Sequence, residues 1–260
     1  MNKIEQIFAI EKKVFIPFLT AGDPSLEKTE EMIYAMEKAG AKLIEIGIPF
    51  SDPIAEGPVI QEADNRALAA GCTIDGLFAM LARVRKNSQV ALVFLTYINP
   101  IVVYGMEKFF AKAREVDIAG IIVPDVPYEE KGLLTGACDK YGLDLIVLIA
   151  PTSDDRIKML AQGAHGYIYV VSSLGVTGVR QSITTDISSI VEKIRSVTKT
   201  PVAVGFGIAT AEQAYAMAKV SDGAIVGSAI VKIIAAHGQN CVEPVAKYVE
   251  EMVEAVKRSC

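Results

Sequence analysis

The sequence predicts an α/β fold: a single (β/α)8 TIM barrel spanning residues 1–260 as one domain, with an extra helix at the N-terminus. Two observations carry this. Eight short apolar runs recur along the 260 residues, and segments with helical spacing lie between them. Alternating strand and helix calls for a parallel sheet. Near-continuous apolar strands call for cover on both faces, and eight such units in about 250 residues make a barrel. An open doubly wound sheet has the same alternation. The even repeat and the absence of a composition shift or linker favour the barrel.

The elements follow in order. "MNKIEQIFAIEKK" places Ile4, Ile7, Phe8 and Ala9 on one face of a short amphipathic helix and has no signal-peptide core. The strand runs are "VFIPFL" (14–19), "LIEIGI" (43–48), "ALVFLTY" (91–97), "IAGIIV" (118–123), "DLIVLI" (144–149), "YIYVVS" (167–172), "PVAVGF" (201–206) and "GAIVGS" (223–228). Between the first two, Leu26, Ile33, Met36 and Gly40 share a helical face, and near the C-terminus Val245, Tyr248, Met252 and Val256 do the same. Ser25 and Asp154 stand at helix starts, and Gly40, Gly71, Gly142 and Gly163 at helix stops.

Composition excludes several classes of function. A net charge of -5 argues against nucleic acid as the main partner. No apolar run reaches the length of a membrane span; the greasiest, 223–236, is broken by Lys232. The four cysteines are far apart and read as free thiols of a cytoplasmic protein. His165 and His237 have no cysteine or acid at ligand spacing, so no metal site is expected.

Chemistry enters at the second run. If Ile44, Ile46 and Ile48 face the helices, Leu43, Glu45 and Gly47 face the barrel axis. Glu45 then points into the mouth, where barrel active sites lie. A buried carboxyl among apolar groups is costly. Desolvation raises its pKa, which suits a general acid and base near neutral pH. The alternative is a structural acid paired with a buried cation, but no strand run contains Lys or Arg.

The seventh and eighth runs end in "VGFGIAT" (204–210) and "VGSAIV" (226–231). Loops in these two slots often bind phosphate through backbone N–H groups, and Gly207, Gly227 and Ser228 are the natural donors. The sixth run leads into the long segment "SLGVTGVRQSITTD" (173–186), expected to be a lid over substrate.

Together the segments "FIPFLTAGDP", "IEIGIPFSDPIAEGPVIQ", "IIVPDVPYEE", "SSLGVTGVR", "VGFGI" and "VGSAIVKII" resemble, in order and spacing, the tryptophan synthase α subunit family. The resemblance runs over nearly the whole chain. It implies a lyase that cleaves indole-3-glycerol phosphate to indole and glyceraldehyde 3-phosphate by a retro-aldol reaction. It implies that Glu45 is the acid/base and that Glu56 accepts the indole N–H. Phe18, Ile60 and Tyr97 would line the indole pocket, and Tyr169 would lie near Glu45. Gly178, Phe206, Gly207, Gly227 and Ser228 would hold the phosphate. Thr177 in the lid would contact Glu56 or its loop, and Asp125 would anchor a neighbouring loop. The implied partner is a β subunit in an α2β2 complex, which carries the pyridoxal phosphate; this chain is expected to hold no cofactor. The loop 53–58 and "DVPYEE" are the candidate interface. One departure stands out: the family usually reads "DPxADGP" and this chain reads "DPIAEGP", which lengthens the second acid by one methylene. That keeps open a second reading, a low-turnover allosteric activator of the β subunit. An isomerase or epimerase barrel acting on sugar phosphates is a third, and would have no use for an indole pocket.

Overall fold

The computed structural model describes residues 2–171, 186–205 and 207–260. Nine parallel strands form one sheet: β1 (Val14–Thr20), β2 (Leu43–Gly47), β3 (Ala91–Leu95), β4 (Ile118–Ile122), β5 (Asp144–Leu145), β6 (Val147–Ile149), β7 (Ile168–Val171), β8 (Val202–Gly205) and β9 (Gly223–Val226). Their order is β5-β4-β3-β2-β1-β9-β8-β7-β6. The two outer strands are halves of one run, interrupted at Ile146, so the sheet curls into a barrel whose ends meet in residues 144–149. On one side of this seam β5 pairs with β4, and the Ile146 N–H donates to the Ile121 carbonyl at 2.9 Å. On the other side β6 pairs with β7. The predicted fifth strand is therefore two short strands, because its residues turn from one neighbour to the other.

Alternation along the strands sorts the core into two layers. Val14, Ile16, Leu43, Val93, Ile122, Tyr167, Tyr169 and Ile225 fill the barrel. Phe15, Leu19, Ile44, Ile46, Leu92, Phe94 and Ile121 pack outward beneath the helices. The expected split of the second run, isoleucines out and Leu43, Glu45 and Gly47 in, is the one observed.

The N-terminal helix Lys3–Ile10 starts in a capping box, in which Asn2 and Glu5 each bond the other's backbone N–H. Its Ile4 is fully buried with the barrel interior, and Asn2 ties it to the seam by a 2.9 Å bond to the Asp144 carboxylate. The helix thus stoppers the end of the barrel opposite the active face. Ser25 caps the helix Leu26–Lys38 through the Lys28 N–H. At Asp154 the cap is one residue earlier, at Ser153, and Asp154 opens the first turn. All four cysteines are free, and only Cys260 is exposed.

Candidate active site

The cavity at the C-terminal ends of the strands is lined by Phe18, Glu45, Glu56, Ile60, Tyr169, Gly207, Gly227 and Ser228, with Leu95, Leu148 and Ile225 among its apolar walls. Glu45 sits mid-strand in β2, level with Phe18 of β1 and Val93 of β3. It is 1% exposed. The Tyr167 hydroxyl donates to its Oε1 at 2.5 Å. Burial pushes its pKa up to about 8, the Tyr167 bond opposes this, and the nearby Glu56 adds to it. Glu45 is therefore a protonated acid at neutral pH. It is one proton transfer from being a base.

Aromatic rings fit here because glycine leaves them room. A Cβ on Gly47 would lie 2.6 Å from Phe18 Cζ, and one on Gly205 would lie 2.3 Å from the Tyr169 hydroxyl. Phe18 packs with Ile60, Ala63 and Val231, which makes one wall apolar and flat. Tyr169 also lines the cavity, and burial together with Glu45 and Glu56 raises its pKa well above the usual value.

The second acid arrives on the loop between β2 and the helix Pro58–Ala69. Glu56 is 6% exposed. Its carbonyl accepts from the Gln61 side chain at 2.8 Å, and Gly57 caps the helix whose first residue is Pro58. Tyr97, expected in the pocket wall, does not line the cavity. Its hydroxyl accepts the Ala55 N–H at 3.1 Å and its ring lies 5.5 Å from that of Phe50, so it braces this loop from behind. Asp52 is exposed and accepts from the Ser51 hydroxyl within the turn. Asp125 accepts the Ile98 N–H through both oxygens, at 3.1 and 3.2 Å, at the first turn of the helix Ile98–Tyr104.

Gly207, Gly227 and Ser228 come together at the cavity rim. Gly227 caps the ten-residue helix Ser228–His237. The positive end of that helix dipole therefore faces the cavity. Thr177, Gly178 and Phe206, with most of the expected lid, lie outside the described residues. Among the described residues no cluster of His, Cys, Asp or Glu could hold a metal ion, and no single helix is long and apolar enough to cross a membrane.

Sequence reasoning missed Tyr167 as the partner of Glu45. The signal was present: in "YIYV" the inward residue two before Tyr169 is Tyr167. It also missed Asp64, a buried acid one helical turn beyond Ile60.

A parallel barrel with a buried carboxyl in its mouth, and glycines at a helix N-terminus on the same cavity, defines the class of (β/α)8-barrel proteins with a site at the C-terminal ends of the strands. The family model for the tryptophan synthase alpha chain matches residues 4–259, and the chain belongs to that family. It is 50% identical over 238 residues to the alpha chain of Lactiplantibacillus plantarum, covering 91% of this chain and 90% of that one. Among solved structures, the alpha subunit of Legionella pneumophila superposes with a TM-score of 0.88 at 36% identity, covering 99% of both chains. A chain of the tryptophan synthase α2β2 complex from Pyrococcus furiosus superposes with a TM-score of 0.85 at 36% identity, covering 93% of this chain and 98% of that one. The family reaction is cleavage of indole-3-glycerol phosphate to indole and glyceraldehyde 3-phosphate, and this chain is a carbon–carbon lyase of that type.

Proposed function

We propose that Glu45 and Glu56 divide this retro-aldol cleavage between them. Indole is a poor carbanion leaving group. Glu45 donates its proton to the indole ring carbon that bears the glycerol chain, and the positive charge spreads to the ring nitrogen. Glu45, now a carboxylate, takes the proton from the hydroxyl on the adjacent carbon. The C–C bond breaks, its electron pair returns to the ring, and the aldehyde C=O forms. Protons balance within the cycle. Glu56 accepts the indole N–H and stabilises the cation, an effect that is largest in a closed, dry site. The two acids need different environments, and one stands on a buried strand while the other stands on a loop. Phe18 and Ile60 hold the indole, while Gly207, Gly227 and Ser228 hold the phosphate, joined by Gly178 and Phe206.

The observation that carries this reading is Glu45: a buried acid with its pKa near 8, hydrogen-bonded to a tyrosine and open to the cavity.

We further propose that the chain works in the cytoplasm with a β subunit, which holds the pyridoxal phosphate, in an α2β2 complex. Ile54, Val102, Val103 and Leu133 support this. They are exposed apolar side chains, with Ile54 at 76% and Val103 at 79%, on segments that follow β2, β3 and β4 on the mouth side.

The test is indole release from indole-3-glycerol phosphate, with and without a β subunit. Glu45→Gln should lower kcat by about a thousandfold, within the usual range for a lost acid/base, and Glu56→Asp should keep activity within about tenfold of wild type. A wild-type chain that releases no indole in either setting yet stimulates the β subunit would make the chain an activator and remove both roles.

A further inference from the structure

We propose that Arg66 and Asp23 are positioning residues for the cleavage: their two-pronged ion pair docks the helix Pro58–Ala69 against the loop after β1, and so fixes where Ile60 and Glu56 stand in the cavity. This rests on the role proposed for Glu56 and adds two residues to it.

Neither residue lines the cavity. Arg66 lies in the last turn of the helix Pro58–Ala69, which begins just after Glu56 and carries Ile60 in its first turn. Asp23 lies between β1, which carries Phe18, and the helix Leu26–Lys38. The Arg66 Nε donates to Asp23 Oδ1 at 2.9 Å, and its Nη2 donates to Oδ2 at 2.8 Å. Two parallel bonds set direction as well as distance. The Asp23 side chain is 1% exposed and that of Arg66 36%. The pair is therefore partly shielded from water and is screened less than an open surface pair.

The Asp23 end is a fixed post. The Gly22 N–H donates to Thr29 Oγ1 at 2.9 Å, and that hydroxyl donates to the Ser25 carbonyl at 2.9 Å. Thr29 belongs to the helix Leu26–Lys38, whose Met32, Ile33 and Met36 are fully buried. Gly22 has a φ of +86°, and a Cβ on it would lie 2.6 Å from Cys72 Cβ and 3.3 Å from Ala67 Cβ. Glycine thus lets this loop press against the end of the helix that carries Arg66.

The helix Pro58–Ala69 has a narrow apolar footing. Its Ile60 and Ala63 join Phe18 and Val231 in a four-residue cluster. Apolar contact holds without giving direction, and the Arg66 fork supplies the direction. Arg66 stands about 9 Å along the helix axis from Ile60, at 1.5 Å per residue. A helix released there pivots on the cluster and moves Ile60. The loop moves with it, because the Gln61 side chain holds the Glu56 carbonyl at 2.8 Å.

Three variants test the clamp. Arg66→Ala removes the fork. Arg66→Lys keeps the charge but is a point donor without the planar fork. Asp23→Ala with Arg66→Ala removes both ends. The measurements are kcat and KM for indole release with a β subunit present, the inhibition constant of inorganic phosphate, and thermal melts that keep every assay well below unfolding. Arg66→Ala should lower kcat/KM by roughly tenfold to a hundredfold, the scale of a misplacement of about 1 Å. Arg66→Lys should recover melting temperature more than it recovers kcat/KM, because charge is kept and direction is lost. The double variant should lose no more kcat/KM than Arg66→Ala alone, because the two residues act as one unit. The phosphate constant should stay within about twofold throughout, since a local shift leaves an independent site alone. A folded Arg66→Ala with wild-type kcat/KM, a phosphate constant that rises in step with KM, or an Arg66→Lys as active as wild type would overturn the proposal. Glu56→Gln is the control. If it keeps full activity, the role of Glu56 fails, whereas the clamp is judged on Arg66→Ala, so the two failures are told apart.

Discussion

The Tyr167 hydroxyl reaches across the inside of the barrel, from the residue just before β7 to β2, and donates to Glu45 at 2.5 Å. It does so from a position 122 residues away in the chain. Tyr167 is fully buried, and burial and Glu45 together hold its own pKa well above the ordinary value. It therefore stays a donor throughout the working pH range. The bond favours the charged form of Glu45 and restrains the rise that burial causes.

Tyr167→Phe removes that restraint. The Glu45 pKa should move above about 8, and the alkaline limb of kcat/KM should move up with it. A weaker acid protonates the indole ring less readily, so kcat near pH 7 should fall, by up to about tenfold on a Brønsted argument. The pH–rate profile of the variant is the check. A limb that stays in place would dissociate Tyr167 from the acid.

Glu45 also links stability to pH. Its folded pKa lies near 8 and its ordinary value is 4.5. Between these, the folded chain holds a proton that the unfolded chain has released. This contribution to stability is intact below about pH 4.5, declines as pH rises and levels off above about 8. Within the window the slope is about 1.4 kcal/mol per pH unit for one proton. Glu45→Gln has no such slope. Urea melts of both proteins at pH 5.5 and 8 should show the variant gaining on wild type at the higher pH.

Gly47→Ala should damage the pocket wall. The added Cβ would stand 2.6 Å from Phe18 Cζ, and Phe18 is hemmed in by Ile60, Ala63 and Val231. Overpacking of this kind costs about 1–3 kcal/mol. A lower melting temperature should accompany a raised KM.

Much of the barrel is legible in the sequence because the interior and the helix-covered face each need apolar residues, and period-two alternation separates them. That is why the inward set Leu43, Glu45 and Gly47 can be read directly. The split at Ile146 is not legible. "DLIVLI" is uniformly apolar, and nothing local marks where it leaves β4 for β7. Tyr97 shows the same limit at the site. Its place beside the cavity follows from the strand, but whether it lines the pocket or braces a loop depends on where Ala55 sits, and that is a tertiary matter. Asp64 sits on a helix with alternating acids and apolar residues, where an exposed position is the ordinary expectation.

Ser228→Ala should weaken phosphate capture. Ser228 opens its helix at the cavity rim. A hydrogen bond to a charged group is worth about 1.5 kcal/mol or more, or roughly tenfold in affinity. KM and the inhibition constant for inorganic phosphate should rise by that factor while kcat changes less.

Asp125→Ala should release the first turn of the helix Ile98–Tyr104. Loss of such a cap costs about 1 kcal/mol. That helix carries Val102 and Val103, so activation by a β subunit should fall more than the basal rate.

The seam at Ile146 makes this barrel a hooped cask with one split stave. Most neighbouring strands share three to five paired residues, whereas β5 gives two to β4, as β8 does to β9, and only at Ile146 does a stave also break and change neighbours. When the native state breathes, the hoop should part at that stave first. The amide of Ile146 should exchange its hydrogen for deuterium well before those of Ile44 and Ile46, while the staves on either side keep theirs.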